Sequence, residues 1–221
     1  MTGLLDLFTV IYDPPAVFER VREKPRFWTP FLGLAVLQVG VAVLMIPYTR
    51  AAMSQLMQAR GASAGSGAFA LFGIISAPLG IAIPVLASSA ILWMLLSVLA
   101  GEARFRPLLS VATYAGITLI AAQLAGFAVL ATGGGPSRVS SMADLRPAFG
   151  LDLLVPNASF AVQTFLGAFN PFSIWGLVLT GLGVAITHKT SKGTAFTVAS
   201  VALLVGAAIA TGFSMLAPRG V

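Results

Sequence analysis

Side chains that could perform acid–base, nucleophilic or metal chemistry are sparse in this sequence of 221 residues. It has one histidine, His188, and no cysteine, which excludes disulfides, thiol catalysis and thiolate metal sites. No cluster of nitrogen and oxygen ligands accompanies His188, so the sequence predicts neither a metal site nor a bound cofactor. His188 stands beside Lys189 near the end of an apolar run, where a helix carboxyl end favours a positive group. A pH-sensitive role for His188 is the alternative.

Two short motifs could point to catalysis or nucleotide binding. Ser88-Ser89 is a pair of hydroxyls without an accompanying base, and we expect it to hydrogen-bond backbone groups released by Pro84. The GGGP run at 133–136 lacks the strand, the helix and the Lys-Ser/Thr of a phosphate-binding loop. We therefore predict that the protein is not an enzyme.

The composition identifies a membrane protein. Hydrophobic residues make up 57% of the chain and charged residues only 9%, with a mean hydropathy of +0.94; soluble domains carry roughly 25% charged residues. The net charge is +6, but the basic residues flank apolar runs. We therefore expect contact with anionic lipid headgroups and not with nucleic acid. The N-terminus lacks the charge-then-apolar order of a signal peptide, so the first span should remain in the mature protein.

The apolar runs predict an all-α integral membrane protein that forms a single membrane domain over residues 1–221. A span needs roughly 20 apolar residues, and five runs qualify, at about 28–47, 71–99, 108–131, 171–187 and 194–217. A Gly/Ser-rich loop at 61–69 precedes the second span. Pro78 and Pro84 predict a kink or a broken first half in that span. Residues 137–168 form a long extracytoplasmic excursion with one or two short helices.

The distribution of Lys and Arg predicts the orientation in the membrane. The N-terminal segment and the loops after spans two and four hold eight of these residues, and the other side holds five. Basic residues accumulate on the cytoplasmic side. We predict a bacterial cytoplasmic (inner) membrane protein, with the N-terminus in the cytoplasm and the C-terminus outside.

The segment before the first span, residues 1–26, predicts amphipathic helices at the cytoplasmic interface. A first helix places Leu4, Leu7, Phe8 and Ile11 on one apolar face. Asp13 then caps a second helix whose first residue is Pro14, where a missing N–H is tolerated.

In the second helix we expect Val17, Phe18 and Val21 to face the membrane, with the charged residues between 19 and 23 in water. Pro25 ends this helix, and Pro30 lies in the first turn of span one. The prolines predict a fixed angle between these helices and the bundle.

Polar and small residues inside the spans leave two interpretations open. The polar ones could line a hydrophilic path, but more often they hydrogen-bond between helices; they are Gln38, Gln123, Thr113, Tyr114 and Thr118. Small residues four apart occur at Gly176/Thr180 and Gly206/Ala210, and such pairs permit close helix contact within one chain or between chains.

Three separated motifs are more specific than composition: Pro14 to Phe18, Gly101 to Phe105 at the start of span three, and Asn170 with Phe172 and Trp175 at the start of span four. Together they resemble the Ypt-interacting-protein (YIP) domain family, from about residue 4 to residue 216. The resemblance implies a five-helix bundle with a cytoplasmic N-terminal region and no catalytic reaction.

Eukaryotic members of that family associate with small prenylated GTPases and with each other, and they are thought to organise membranes. This sequence lacks their long acidic or proline-rich tail before span one, so the resemblance does not carry GTPase binding over to it. It is similar to the compact bacterial members, some of which accompany transport systems.

We accordingly expect a non-enzymatic scaffold or accessory subunit of a membrane complex, with a membrane protein partner or a second copy of this chain. The alternative is a small transporter, channel or lipid-handling protein that uses the proline-containing second span. The candidate structural and partner-facing residues are Asp13, Pro14, Phe18, Pro25, Pro30, Pro78, Pro84, Gly101, Phe105, Tyr114, Asn170, Phe172 and Trp175.

Overall fold

The computed structural model describes residues 2–59 and 66–216 of the chain. Within these residues the regular structure is entirely helical, as the sequence predicted. The helices are α1 Thr2–Tyr12, α2 Pro14–Glu23, α3 Trp28–Ala59, α4 Ser66–Ala100, α5 Phe105–Ala115, α6 Ile117–Thr132, α7 Phe160–Gly167, α8 Pro171–His188 and α9 Lys192–Leu216.

Five stretches of these helices are long and apolar enough to cross a membrane, which confirms the predicted fold class. They are Trp28–Gln58, Leu71–Ala100, Phe105–Thr132, Pro171–His188 and Lys192–Met215. The third stretch consists of two helices, α5 and α6, and the other four lie within α3, α4, α8 and α9.

Helix α5 lies at the centre of the bundle. Every residue from Pro107 to Ala115 is buried, because α5 packs against α2, α3, α4 and α8 on different sides. Its buried hydroxyl groups are satisfied within the helix, since Ser110 donates to the carbonyl oxygen of Arg106 and Thr113 to that of Leu109. The remaining pairs place α3 beside α4 and α6, and α9 beside α4 and α8.

The first two spans are longer than the sequence predicted. α3 continues past Pro47 and Arg50 to Ala59, so a single charged residue did not mark its end. Part of the Gly/Ser-rich loop, residues 61–65, lies outside the described residues, whereas residues 66–69 already belong to α4.

Of the two alternatives predicted for the second span, a kink or a broken first half, the broken helix is absent, whereas the third span is interrupted. α4 is one continuous helix across Pro78 and Pro84, because each proline removes a single backbone hydrogen bond and the rest of the helix stays intact. The third span is divided at Gly116, whose N–H lies near the carbonyl groups of both Ala112 and Thr113. A Cβ at Gly116 would lie 3.1 Å from Leu34 of α3, so close packing accompanies the division.

The excursion between α6 and α8 contains three short 3-10 turns and one α-helix, α7. One or two short helices were expected there. The first two turns contact α3, the third contacts α7, and α7 packs against α9, so this segment covers one end of the bundle.

Candidate functional site

The first candidate surface is the collar, which consists of α1 and α2. Its second helix begins as the sequence predicted: Asp13 is the N-cap and its carboxylate accepts a hydrogen bond from the backbone N–H of Ala16 at 3.3 Å. Pro14 occupies the first helical position, where no hydrogen bond is lost. The helix ends at Glu23, one residue before Lys24-Pro25, and Pro30 lies in the first turn of α3.

The apolar side of α2 faces the bundle, so the expectation that it faces the membrane was wrong. Val17 and Phe18 have no exposed surface, and α2 packs against α5 and α8. A Cβ placed at Gly183 of α8 would lie 3.0 Å from the Phe18 ring and 2.6 Å from Val111 of α5. The missing side chain at Gly183 therefore makes the space in which Phe18 lies.

The apolar face of α1 is divided between the protein and its surroundings. Leu7 and Val10 are fully buried, whereas Leu4, Phe8 and Ile11 are about half exposed. Of the predicted face, only Leu7 is buried within the protein, and Val10, which was not assigned to that face, is buried as well. The contacts of α1 with α2, α3 and α5 decide which of its apolar residues are covered.

An ion pair joins the two helices of the collar. The Arg20 guanidinium lies 2.7 Å from the Asp6 carboxylate. Tyr114 of α5 belongs to the same buried cluster as Leu7 of α1 and Phe18 of α2. Tyr114 itself is 2% exposed. The predicted candidate Tyr114 is therefore part of the base on which the collar lies.

The loop between α4 and α5 is fastened to the end of α8. Gly101 has a positive φ of 78°, a conformation that glycine adopts without strain, and Phe105 begins α5. The backbone N–H of Arg104 donates to Nε2 of His188 at 3.2 Å, and Nδ1 of His188 lies 2.9 Å from the Thr187 hydroxyl. Nε2 must be unprotonated to accept this bond, so His188 acts here as a neutral acceptor and not as a positive end group.

The second candidate surface is a groove between α4, α6, α8 and α9, with a volume of about 430 Å³. Its walls consist mainly of small side chains, and it contains Pro84, Asn170 and Phe172 from the predicted candidates. The small residues in its walls are Ser88, Ala112, Ala115, Gly116, Thr118, Ala122, Ala168, Ser173, Gly176, Thr180, Ala199, Ala202, Gly206, Ala207 and Ala210.

The hydroxyl groups in the groove fall into two classes. Thr118 donates to the carbonyl oxygen of Ala115, so its hydroxyl is satisfied within its own helix. Ser88 on α4 and Thr180 on α8 both line the groove, and neither hydroxyl has a hydrogen-bond partner among residues 2–59 and 66–216. Ser89 donates to Val85 and not to the carbonyl freed by Pro84, so that expectation was wrong.

The two pairs of small residues have different surroundings. A Cβ at Gly176 would lie 2.8 Å from the Thr118 hydroxyl, whereas a Cβ at Gly206 would meet nothing within 4 Å. Gly176 therefore serves contact between α8 and α6 within the chain. Gly206 and Ala210 are exposed on the wall of the groove, where nothing in the described chain uses the space beside them.

The residues at the start of α8 have structural partners. The Asn170 side chain accepts from the N–H groups of Phe172 and Ser173 at 3.0 Å each, and the Ser173 hydroxyl completes a capping box. The Phe172 ring packs edge-to-face on Phe149 of the excursion, with 6.1 Å between ring centroids. Trp175 is 38% exposed and lies outside the groove, as does Pro78.

The structure thus assigns some of the predicted candidates to one of two surfaces, and Pro78, Gly101, Phe105 and Trp175 belong to neither. Asp13, Pro14, Phe18 and Pro30 build or support the collar, and Pro84, Asn170 and Phe172 line the groove. Thr180, Gly206 and Ala210 were noted in the sequence only as small-residue pairs, and no sequence signal placed them on the same groove as Ser88.

The polar pair Gln38 and Gln123 lies apart from both surfaces. Each side-chain amide donates to the other across α3 and α6, at 2.9 and 3.1 Å. This arrangement is the expected hydrogen bonding between helices.

Comparisons with known proteins agree with this architecture. The family model for the Yip1 domain matches residues 8–213. Membrane protein YknW of Bacillus subtilis (strain 168) is 27% identical over 195 residues, which cover 84% of this chain and 80% of that protein. No solved structure matches the chain. Because the family model spans almost all of the sequence, this protein belongs to the Yip1 domain family.

Proposed function

We propose that this membrane protein is a non-enzymatic scaffold or accessory subunit of a membrane complex, and that it binds a transmembrane helix of its partner along the groove. The observation that carries the proposal is the open groove of about 430 Å³, which nothing in the described chain fills. Transport and membrane organisation are the processes in which we expect such a complex to act.

The groove is open to the surroundings of the bundle. In a bilayer its apolar walls are therefore covered either by lipid or by a helix of another chain.

Two features favour a helix over an acyl chain as the occupant. Small residues such as Gly206 and Ala210 let two helices approach closely. The unpartnered hydroxyls of Ser88 and Thr180 can hydrogen-bond a polar group of a neighbouring helix, which a hydrocarbon chain does not offer. The partner is a second membrane protein or another copy of this chain.

The collar has a different partner in this proposal. Leu5 and Tyr12 of α1 are 69% and 77% exposed, and basic residues stand on the adjoining α2. An amphipathic helix of this kind binds at a lipid interface. We propose that the collar lies on the anionic headgroups of the bacterial cytoplasmic membrane, on its cytoplasmic side.

The chain has no cysteine, so a single introduced thiol can carry a photo-reactive group without background. With Ala210→Cys in the groove, we expect irradiation of native membranes to give a protein adduct. Adding Gly206→Phe should block the groove and lower the adduct yield about tenfold, which corresponds to about 1.4 kcal/mol of lost binding. Adding Gly212→Phe is the matched control on the same helix, because Gly212 also has open space around it but does not line the groove.

A protein adduct that is lost with Gly206→Phe and kept with Gly212→Phe supports the proposal. Its mass distinguishes a second copy of the chain from another membrane protein. An adduct that persists unchanged with Gly206→Phe contradicts the proposal.

A second candidate function, lipid handling, uses the same groove. Pro84 and Ser88 of the second span both line it, as a small transporter or lipid-handling protein with a proline-modified span would require. Adducts to lipid alone in the Ala210→Cys experiment would favour this function and would contradict the scaffold.

A further inference from the structure

A second cavity, of about 320 Å³, lies between α3, α6 and the excursion. It does not involve α4, α8 or α9, and it shares with the groove a single lining residue, Ala122 of α6. Val41, Met45 and Phe127 give it apolar walls, and Gln123 and Arg146 are its polar lining residues. The combination of one cation with apolar walls matches an amphiphile with a negative head.

Arg146 is an exposed residue on the rim of this cavity. The residues that follow it in the chain pack on α6: a Cβ at Gly126 would lie 3.5 Å from Pro147 and 3.8 Å from Phe149. Gly126 lies about 9 Å along the helix axis before the last residue, Thr132, at 1.5 Å per residue. The excursion therefore folds back along α6 and places Arg146 beside the apolar walls of the cavity.

The guanidinium of Arg146 has no carboxylate partner among the described residues. The nearest acid in sequence, Asp144, accepts hydrogen bonds from the backbone N–H and hydroxyl of Ser140 and from the N–H of Ser141, each at 2.8 Å. These bonds to Ser140 and Ser141 hold the pKa of the Asp144 carboxyl below its ordinary value. The carboxylate of Asp144 is thus bound to Ser140 and Ser141, so the guanidinium of Arg146 can bind an anionic group of a ligand.

Deeper in the cavity, Gln123 offers a second polar contact. In the Gln38–Gln123 pair, each side-chain amide donates one N–H to the oxygen of the other and accepts one hydrogen bond in return. A glutamine side chain has two N–H groups, so Gln123 keeps one for a ligand that carries an acceptor. The ester carbonyl of a glycerolipid is such an acceptor.

We infer that this cavity binds one membrane phospholipid, with its phosphate on Arg146 and one acyl chain along Val41, Met45 and Phe127. The planar guanidinium suits the oxygen atoms of a phosphate. The site lies in the leaflet on the side of the excursion and is independent of the helix that we propose for the groove.

To test the inference, the full chain is purified in mild detergent and delipidated. It is then titrated with phosphatidylglycerol, and native mass spectrometry measures how many lipids are bound. We expect one lipid to bind more tightly than the rest. Arg146→Gln should weaken this first binding about tenfold or more, because it removes a charge-assisted contact with phosphate. Arg138→Gln is the matched control: Arg138 is an exposed arginine of the same excursion outside the cavity, and its loss should change affinity less than about twofold.

Three further measurements complete the test. Arg146→Lys keeps the charge without the planar fork and should weaken binding less than Arg146→Gln does. Diacylglycerol with the same chains lacks the phosphate and should bind about as weakly to the parent as phosphatidylglycerol binds to Arg146→Gln. Glycerol phosphate, which lacks the chains, should not displace the bound lipid.

Equal affinities of the parent and Arg146→Gln for phosphatidylglycerol would overturn the inference. So would diacylglycerol binding as tightly as phosphatidylglycerol, or displacement of the lipid by glycerol phosphate, since that would indicate a site for soluble phosphate. None of these outcomes bears on the groove, whose test uses protein adducts.

Discussion

Phe18 is the residue that joins the collar to the bundle. Its side chain has no exposed surface and fits against Gly183 of α8 and Val111 of α5. One aromatic ring therefore touches two of the spanning segments from a helix that does not span. Removing it leaves a cavity that the rigid helices α5 and α8 can close only in part.

We predict that Phe18→Ala lowers the free energy of unfolding by about 3 kcal/mol, the lower end of the range for buried phenylalanine. It should also make the collar more accessible to protease, while insertion of the spans is unchanged. Thermal unfolding in detergent and limited proteolysis of membranes measure the two effects. Phe8→Ala is the control, because Phe8 is 53% exposed in the same collar; equal behaviour of the two variants would contradict the docking of Phe18.

Local chemistry at the start of α2 could be read from the sequence, but the direction of its apolar side could not. An Asp-Pro pair specifies a cap and a first turn through contacts within four residues, and both are present. The spacing of Val17, Phe18 and Val21 shows only that they share a face. Which neighbour covers that face depends on Gly183, far away in sequence.

At the scale of the helices, the position of the break in the bundle is decided by packing and not by proline. α4 passes through two prolines without interruption, whereas the third span divides at Gly116. Helices in a membrane tolerate proline where the surrounding protein satisfies the freed backbone groups. At Gly116, by contrast, α3 approaches so closely that a side chain has no room.

Gly116→Ala should therefore destabilise the protein, although alanine favours helices more than glycine does. The new Cβ would lie 3.0 Å from the Thr113 carbonyl oxygen and 3.1 Å from Leu34, and such overpacking costs about 1–3 kcal/mol. Gly40→Ala in α3 is the matched control with open space around it, and it should be neutral or raise stability by up to about 1 kcal/mol. Thermal unfolding of both variants in the same detergent measures the two effects. If Gly116→Ala were more stable than the parent, the prediction would be wrong, and α3 would have to shift to make room for the new Cβ.

At the scale of the whole molecule, the helices bring the basic residues of the collar, the α4–α5 loop and the α8–α9 turn to one end. The excursion between α6 and α8 lies at the opposite end. The bias of Lys and Arg towards the collar end, eight to five over the whole sequence, predicts that this end is cytoplasmic.

Single cysteines test this orientation, since the chain has none of its own. A membrane-impermeant thiol reagent applied to intact cells should label Ser137→Cys in the excursion and leave Lys192→Cys at the collar end unlabelled. After permeabilisation both should react, with at least about tenfold more labelling of Lys192→Cys than before, because only the membrane barrier has changed. The reverse pattern in intact cells would place the collar outside.

The sequence by itself determined the membrane class, the five spans, the helix cap at Asp13, and the family. These depend on apolar length, on local hydrogen bonds within a few residues, and on motifs that stay recognisable across the chain. The groove and the Arg146 cavity depend on contacts between residues far apart in sequence. Ser88, Thr180 and Gly206 meet only because α4, α8 and α9 surround one space, and Arg146 reaches its cavity only because the excursion folds back on Gly126. Only the tertiary structure could reveal these two sites, because no local sequence pattern indicates which faces of two distant helices will be in contact.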